Sequence, residues 1–172
     1  SVLLNNGDGT FAAAVHVNAG PNPDSVAMAD IDRDGDLDLA IANDVGVVVL
    51  RNNGNATFAS PTGLAAPNDP SSVVIGDFNN DGNVDLAYMN HAIGANSVSV
   101  ALNNGTGGYL APLSFDVRNR PYDLKAADFD SDGDLDLVAA IGGTNSTTVA
   151  VLRNDGVNGV TLTHFEAGGT PK

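Results

Sequence analysis

The chain has 172 residues and a formal net charge of −14, from 7 Lys plus Arg against 21 Asp plus Glu, and only one of those acids, Glu166, is a glutamate. So few basic residues exclude a polyanion partner such as nucleic acid or an anionic membrane, which needs clustered Lys and Arg. No apolar run reaches membrane-spanning length, the lack of cysteine removes disulfides, thiol nucleophiles and thiolate metal sites, and an apolar content of 42% is that of an ordinary folded domain.

In chain order, Val2-Leu3-Leu4 reads as a strand that runs into Asn5-Asn6-Gly7, a strong hairpin signal because both turn positions of an Asn-Gly turn take positive φ. Phe11–Val17 reads as the next strand. Pro23 then opens a segment containing the strand Ser25–Ala29 and the acidic run Asp30-Ile31-Asp32-Arg33-Asp34-Gly35-Asp36-Leu37-Asp38. Leu37–Ala42 and Val47–Leu50 follow as strands that are apolar on consecutive positions, as suits strands covered on both faces. Asn52-Asn53-Gly54 restarts the pattern. The acidic run recurs as Asp77 to Asp85 and Asp128 to Asp136, with starts 47 and 51 residues apart.

The markers keep register. From Gly7, Gly54 and Gly105 to the next acidic run is 23 residues each time, and Pro23, Pro70 and Pro121 each stand seven residues before a run. A period of roughly 50 residues with four short strands per repeat is the signature of propeller blades. The fold class expected is all-β, with four-stranded antiparallel blades and about three and a half of them. Residues 1–22 supply the last two strands of one blade, and 23–69, 70–120 and 121–170 supply three more. Closure takes roughly four to eight blades, so the chain is expected to be part of a larger propeller or to assemble with copies of itself. The chain starts at Ser1 without a signal-peptide pattern, so any export signal is expected to lie outside it.

The acidic spacing D-x-D/N-x-D-G-x-x-D places oxygen ligands at alternate positions 1, 3 and 5, a glycine for a sharp turn at 6, a backbone carbonyl at 7 and a closing carboxylate at 9. Such an all-oxygen, anionic and flexible set suits Ca²⁺. An EF-hand would need a bidentate Glu at position 12 and flanking helices, but position 12 is Ile41, Tyr88 and Ala139 in strand-like sequence.

The acidic loop between strands, the following L-x-N-N-G segment and the Thr10-Phe11 and Thr57-Phe58 pairs resemble the FG-GAP/VCBS repeat family, related to the integrin α-subunit propeller. The resemblance covers essentially the whole chain. Strict Phe-Gly and Gly-Ala-Pro signatures are missing, which favours the bacterial branch. It implies a calcium-binding β-propeller with each ion in the hairpin between a blade's first two strands, hence three Ca²⁺ sites. Carried over, the side-chain ligands are Asp30, Asp32, Asp34 and Asp38; Asp77, Asn79, Asp81 and Asp85; and Asp128, Asp130, Asp132 and Asp136. Asp36, Asn83 and Asp134 would offer backbone carbonyls. The middle loop has three aspartates against five in each neighbour and is expected to be the weakest site.

No catalytic motif is present, and His16, His91 and His164 occupy unrelated phases of the repeat, so the chain is expected not to be an enzyme. The second and third repeats carry four extra residues, at His91–Asn96 and Gly142–Thr147, expected on the face opposite the acidic loops and marking a binding face. Arg118, Arg120 and His91 could receive an anion there, although a solvated loop is the plainer reading. Phe11, Phe58 and Tyr109 share a phase that reads as blade packing, and Ile31, Phe78 and Phe129 are expected to pack beneath their loops. The function expected is an extracellular adhesion or recognition module for protein or glycan. The alternatives are the non-catalytic repeat region of a secreted enzyme and a self-assembling ring or filament.

Overall fold

The structure, a computed structural model, describes residues 1–66, 69–92, 94–118, 120–142, 148–156 and 160–166. Among these, twelve strands form three four-stranded antiparallel sheets, each a meander in chain order. The first sheet holds β1 (Ser25–Ala29), β2 (Asp38–Asn43), β3 (Gly46–Leu50) and β4 (Thr62–Ala65). The second holds β5 (Pro70–Gly76), β6 (Asp85–Asn90), β7 (Ser97–Ala101) and β8 (Leu113–Asp116), and the third β9 (Arg120–Ala127), β10 (Asp136–Gly142), β11 (Thr148–Asn154) and β12 (Val160–Glu166). The runs of Val, Ile and Leu favour the pleated, covered surface they occupy. Gly46 is required at the β2–β3 turn, because a Cβ there would stand 2.3 Å from the Leu64 carbonyl oxygen.

The sheets stack like blades, β1 against β5 and β5 against β9, and the Val73 N–H donates to Ser25 Oγ across the first gap. The core lies between sheets. Ala40, Ala42, Val47 and Val49 pack on Val73, Leu86, Tyr88 and Ala101; Ala87, Met89, Val98 and Val100 pack on Leu137, Ala139, Ile141, Ala150 and Leu152. All six residues of β6 are buried, since the second sheet has a neighbour on each side.

Burial at a given repeat phase therefore depends on which neighbour is present. Val73, against the first sheet, is 4% exposed, while its equivalent Val26 is 59% exposed. Ile31 and Phe78 pack into the two inter-sheet cores as expected, whereas Phe129 stays 57% exposed, because its side chain points where a fourth sheet would lie. Likewise Tyr109 packs against the first inter-sheet core but Phe11 is exposed.

Two strand expectations are corrected. Val2-Leu3-Leu4 and Phe11–Val17 form no extended strands, only the isolated bridges Val2 to Val15 and Asn5 to Phe11. A two-stranded ribbon without the inner strands of its own sheet is marginal in water, and residues 1–22 contain no such partners. The Asn-Asn-Gly turns are also longer than a two-residue hairpin. Their tips are closed by the bridges Asn5 to Phe11, Asn52 to Phe58 and Asn103 to Tyr109. Positive φ falls on Gly7, Gly54 and Gly105 and again two residues later, at Gly9, Ala56 and Gly107, but not on the preceding Asn. The first Asn folds the tip by accepting the glycine N–H on its side-chain oxygen.

The asymmetry yields an expectation. Phe78→Ala opens a cavity between two sheets and should cost about 3–5 kcal/mol in chemical denaturation, while the repeat-equivalent Phe129→Ala should change stability by no more than about 0.5 kcal/mol.

Candidate metal centre

The ninth residue of each acidic loop, Asp38, Asp85 or Asp136, begins the second strand of its sheet and is buried. One carboxylate oxygen accepts the N–H of loop position 2, from Ile31, Phe78 or Phe129, at 3.0, 2.9 and 2.9 Å. The other accepts the N–H of the Asn that opens the following turn, from Asn52, Asn103 or Asn154, at 2.8, 2.7 and 2.8 Å. The same Asn side chain donates back to the carbonyl just before the aspartate, of Leu37, Val84 or Leu135. A carboxylate clasp thus joins the acidic loop to the Asn-Asn-Gly turn in every sheet.

The loop tip curls around position 1. Asp30 accepts the N–H groups of Asp34 and Gly35, Asp77 those of Asp81 and Gly82, and Asp128 those of Ser131, Asp132 and Gly133. The position-6 glycines have φ of 95, 82 and 97°, the sharp turn expected of them. Position 4 is also left-handed, at Arg33, Asn80 and Ser131, which non-glycine residues adopt at a cost of about 1 kcal/mol or more. Position 5 caps position 7, since Asp34, Asp81 and Asp132 accept the N–H of Asp36, Asn83 and Asp134. The position-7 side chains rest against the turn glycines Gly54, Gly105 and Gly156, where a Cβ would meet them at 2.8, 3.5 and 2.7 Å.

Carboxylate oxygens of Asp30, Asp32 and Asp38 lie within 4.8 Å of one another, as do those of Asp128, Asp130 and Asp136. Oxygens that each sit 2.3–2.6 Å from one Ca²⁺ are confined to a span of about 5 Å, so the convergence fits that ion and the all-oxygen donor set suits it. Each hydrogen-bonded carboxylate retains lone pairs for a cation. In the first and third loops the structure brings positions 1, 3 and 9 together, whereas Asp77, Asp81 and Asp85 of the middle loop form no such cluster. It leaves Asp34 apart and groups Asp132 with Asp130 and Asp155. In the middle loop Asn79 stands at position 3 and donates to Asp81.

Electrostatics oppose crowding these acids without a counter-charge. Burial chiefly pushes the Asp85 carboxyl above its ordinary value, against the N–H bonds of Asn103 and Phe78, and the charges of Asp81 and Asp77 push it further. Burial likewise raises Asp32, followed by the charges of Asp38 and Asp34. Asp81 is lowered, first by the Asn83 N–H and then by the Asn79 side chain.

Other features were not legible from spacing. Arg51 and Arg153, immediately before the Asn-Asn-Gly turn and its Asn154-Asp155-Gly156 counterpart, reach back to Asp32 and Asp130. The Tyr109 hydroxyl is buried without a hydrogen-bond partner among the described residues, and burial drives its pKa up to about 12. Asp24, Asp44 and Asp69, distant in sequence, converge within 4.8 Å. Between the second and third sheets lies a cleft of about 760 Å³, floored by Phe78, Leu102 and Phe115 and edged by Asn79, Asn80 and Asp134. Of the expected binding loops, residues 93, 119 and 143–147 lie outside the described residues; His91 stacks at a tilt on Tyr122, with ring centroids 6.3 Å apart.

A family model described as FG-GAP-like repeat matches residues 1–41, 30–88 and 90–139. No curated protein matches the chain. Among solved structures, the chain is similar to an Agrocybe aegerita lectin that recognises non-reducing terminal N-acetylglucosamine, with 21% identity, a TM-score of 0.59, and coverage of 94% of this chain and 45% of that one. It is similar to BBS1N, solved in complex with ARL6DN, at 11% identity and TM-score 0.53, covering 89% of this chain and 57% of that one. It also matches the V. cholerae biofilm matrix protein Bap1 at 20% identity and TM-score 0.49, over 91% of this chain and 22% of that one. The chain therefore spans less than two thirds of each of these structures, and the first two likenesses speak for the fold alone.

The clasp generates its own expectation. Asp85→Asn keeps the shape but turns one acceptor into a donor facing a backbone N–H, so stability should fall by about 2–4 kcal/mol in urea denaturation with calcium chelated. Asp36→Asn, whose side chain only rests on Gly54, should be within about 0.5 kcal/mol of the parent.

Proposed function

The chain belongs to the FG-GAP-like repeat family, and on that premise we propose that it is a calcium-stabilised β-propeller module of an extracellular protein, acting in adhesion or recognition of a protein or glycan. The observation that carries the reading is the convergence of loop positions 1, 3 and 9 within 4.8 Å in the first and third loops. The residues that would hold the ion are Asp30, Asp32, Asp34 and Asp38; Asp77, Asn79, Asp81 and Asp85; and Asp128, Asp130, Asp132 and Asp136, with Asp36, Asn83 and Asp134 through their carbonyls. Calcium, when bound, supplies positive charge and a cross-link between oxygens. The buried clasp aspartate holds one ligand in place before binding, and the position-1 aspartate shapes the tip through its N–H bonds.

The role is non-catalytic. Carboxylates engaged by a divalent ion have their lone pairs occupied and make poor proton shuttles. For recognition, the cleft between the second and third sheets has an apolar floor and an amide and carboxylate rim, a pairing that suits the mixed faces of a sugar ring. Self-association is a second reading, favoured by the exposed Val26 and Met28 of β1 and by the exposed Leu37 just before β2.

A site held at a thousandfold over its dissociation constant adds about 4 kcal/mol to the folded state. Chelation should therefore lower the melting temperature by about 10 °C or more and open the chain to protease. Unchanged melting and proteolysis would remove the calcium role. In sedimentation, a monomer at all concentrations would remove self-association.

A further inference from the structure

We infer that Arg51 and Arg153 are internal counter-ions of the third loop residue and that they set the cation affinity of the first and third loops. This rests on the calcium reading of the loops. Arg51 Nε lies 3.5 Å from Asp32 Oδ2, and its Nη2 donates to the Gly107 carbonyl of the next sheet at 3.0 Å, which pins the guanidinium between two sheets. Arg153 Nε contacts Asp130 Oδ2 and lies 3.0 Å from Asp155 Oδ1, with Nη2 3.8 Å from Asp132 Oδ2.

The pairing follows the repeats. At the same phase the second repeat has Leu102, and its loop has Asn79 where the others have Asp32 and Asp130. Among the three loops the arginine is present wherever position 3 is an aspartate and absent where it is not. Leu102 instead turns into the apolar cleft between the second and third sheets.

Arginine stays charged at any relevant pH and matches a carboxylate in shape. In the metal-free protein it relieves repulsion among the loop carboxylates; in the loaded protein it sits beside a dication and competes for the same oxygens. Both effects reduce the gain on binding. The first and third loops carry four carboxylates at positions 1, 3, 5 and 9, while the middle loop carries three and no arginine at that phase; Arg51 offsets one charge in the first loop, and in the third Arg153 is shared with Asp155. Arg33 of the first loop lies beside Gly82 of the middle loop, where a Cβ would meet its Nη2 at 3.0 Å, and its charge lowers Asp81 less than the hydrogen bonds there do. Over positions 1, 3, 5 and 9 the first loop with its arginine thus carries the same net charge as the middle loop, while Asp155 leaves the third loop more negative.

Calcium titration calorimetry on the full chain tests this. The parent supplies the reference affinities. In R51L/R153L two sites should bind about tenfold tighter, the size of effect a unit charge a few ångströms from a dication produces in a largely solvated site, while the metal-free melting temperature falls. L102R should weaken one site by a similar factor, and R51K/R153K should keep the parent affinities. A purely supporting role would lower stability and affinity together, so R51L/R153L sites no tighter than the parent's would overturn the inference. So would an L102R chain with three unchanged sites. Absence of any calcium binding by the parent would overturn the calcium reading and this inference with it.

Discussion

A buried carboxylate in each sheet, at Asp38, Asp85 and Asp136, holds together two segments that would otherwise end in unpaired backbone. Each accepts one N–H from the acidic loop and one from the start of the Asn-Asn-Gly turn. Hydrogen bonds to a charged acceptor are worth about 1.5–3 kcal/mol, and a buried ion left without them is strongly destabilising, so neither segment can drift far without the other. Aspartate suits the position because its short side chain spans both donors from the first residue of the strand. The remaining ligand positions are then built outward from this fixed point, which is why one side chain serves the fold and the candidate cation site alike.

Much of the fold was readable because the strands carry their own signals. Ser25–Ala29 coincides with β1, and Leu37–Ala42 and Val47–Leu50 fall within a residue of β2 and β3. What failed was what depends on neighbours. Phe129 and Phe78 share the second position of their loops, each after an aspartate, and have opposite burial, and Val2-Leu3-Leu4 has the composition of a strand without the partners that would make it one. Repeat periodicity identifies equivalent positions but says nothing about which of them has a sheet beside it.

The acidic loops were legible at the level of residue type, since D-x-D/N-x-D-G-x-x-D states its turn and its oxygens directly. Their geometry was less so. The left-handed residue at position 4 has no composition signal, being Arg, Asn or Ser. The dual bonding of position 9 joins residues 7 and 14 or 18 apart, beyond the reach of a local pattern. Arg51 and Arg153 could have been noticed from phase, because they stand just before the turn in the first and third repeats and are replaced by Leu102 in the second. The Asp24, Asp44 and Asp69 cluster left no repeat trace at all, as these residues do not recur in other repeats.

The division of labour within the loops, a clasp that stands alone and a tip that awaits a cation, is tested most directly by amide hydrogen exchange with and without calcium. The N–H groups of Ile31, Asn52, Phe78, Asn103, Phe129 and Asn154 should be protected in both conditions, while those of Asp34, Gly35, Asp81, Gly82, Asp132 and Gly133 should gain protection only when calcium is added. Clasp amides that exchange freely without calcium, or tip amides indifferent to it, would contradict this division.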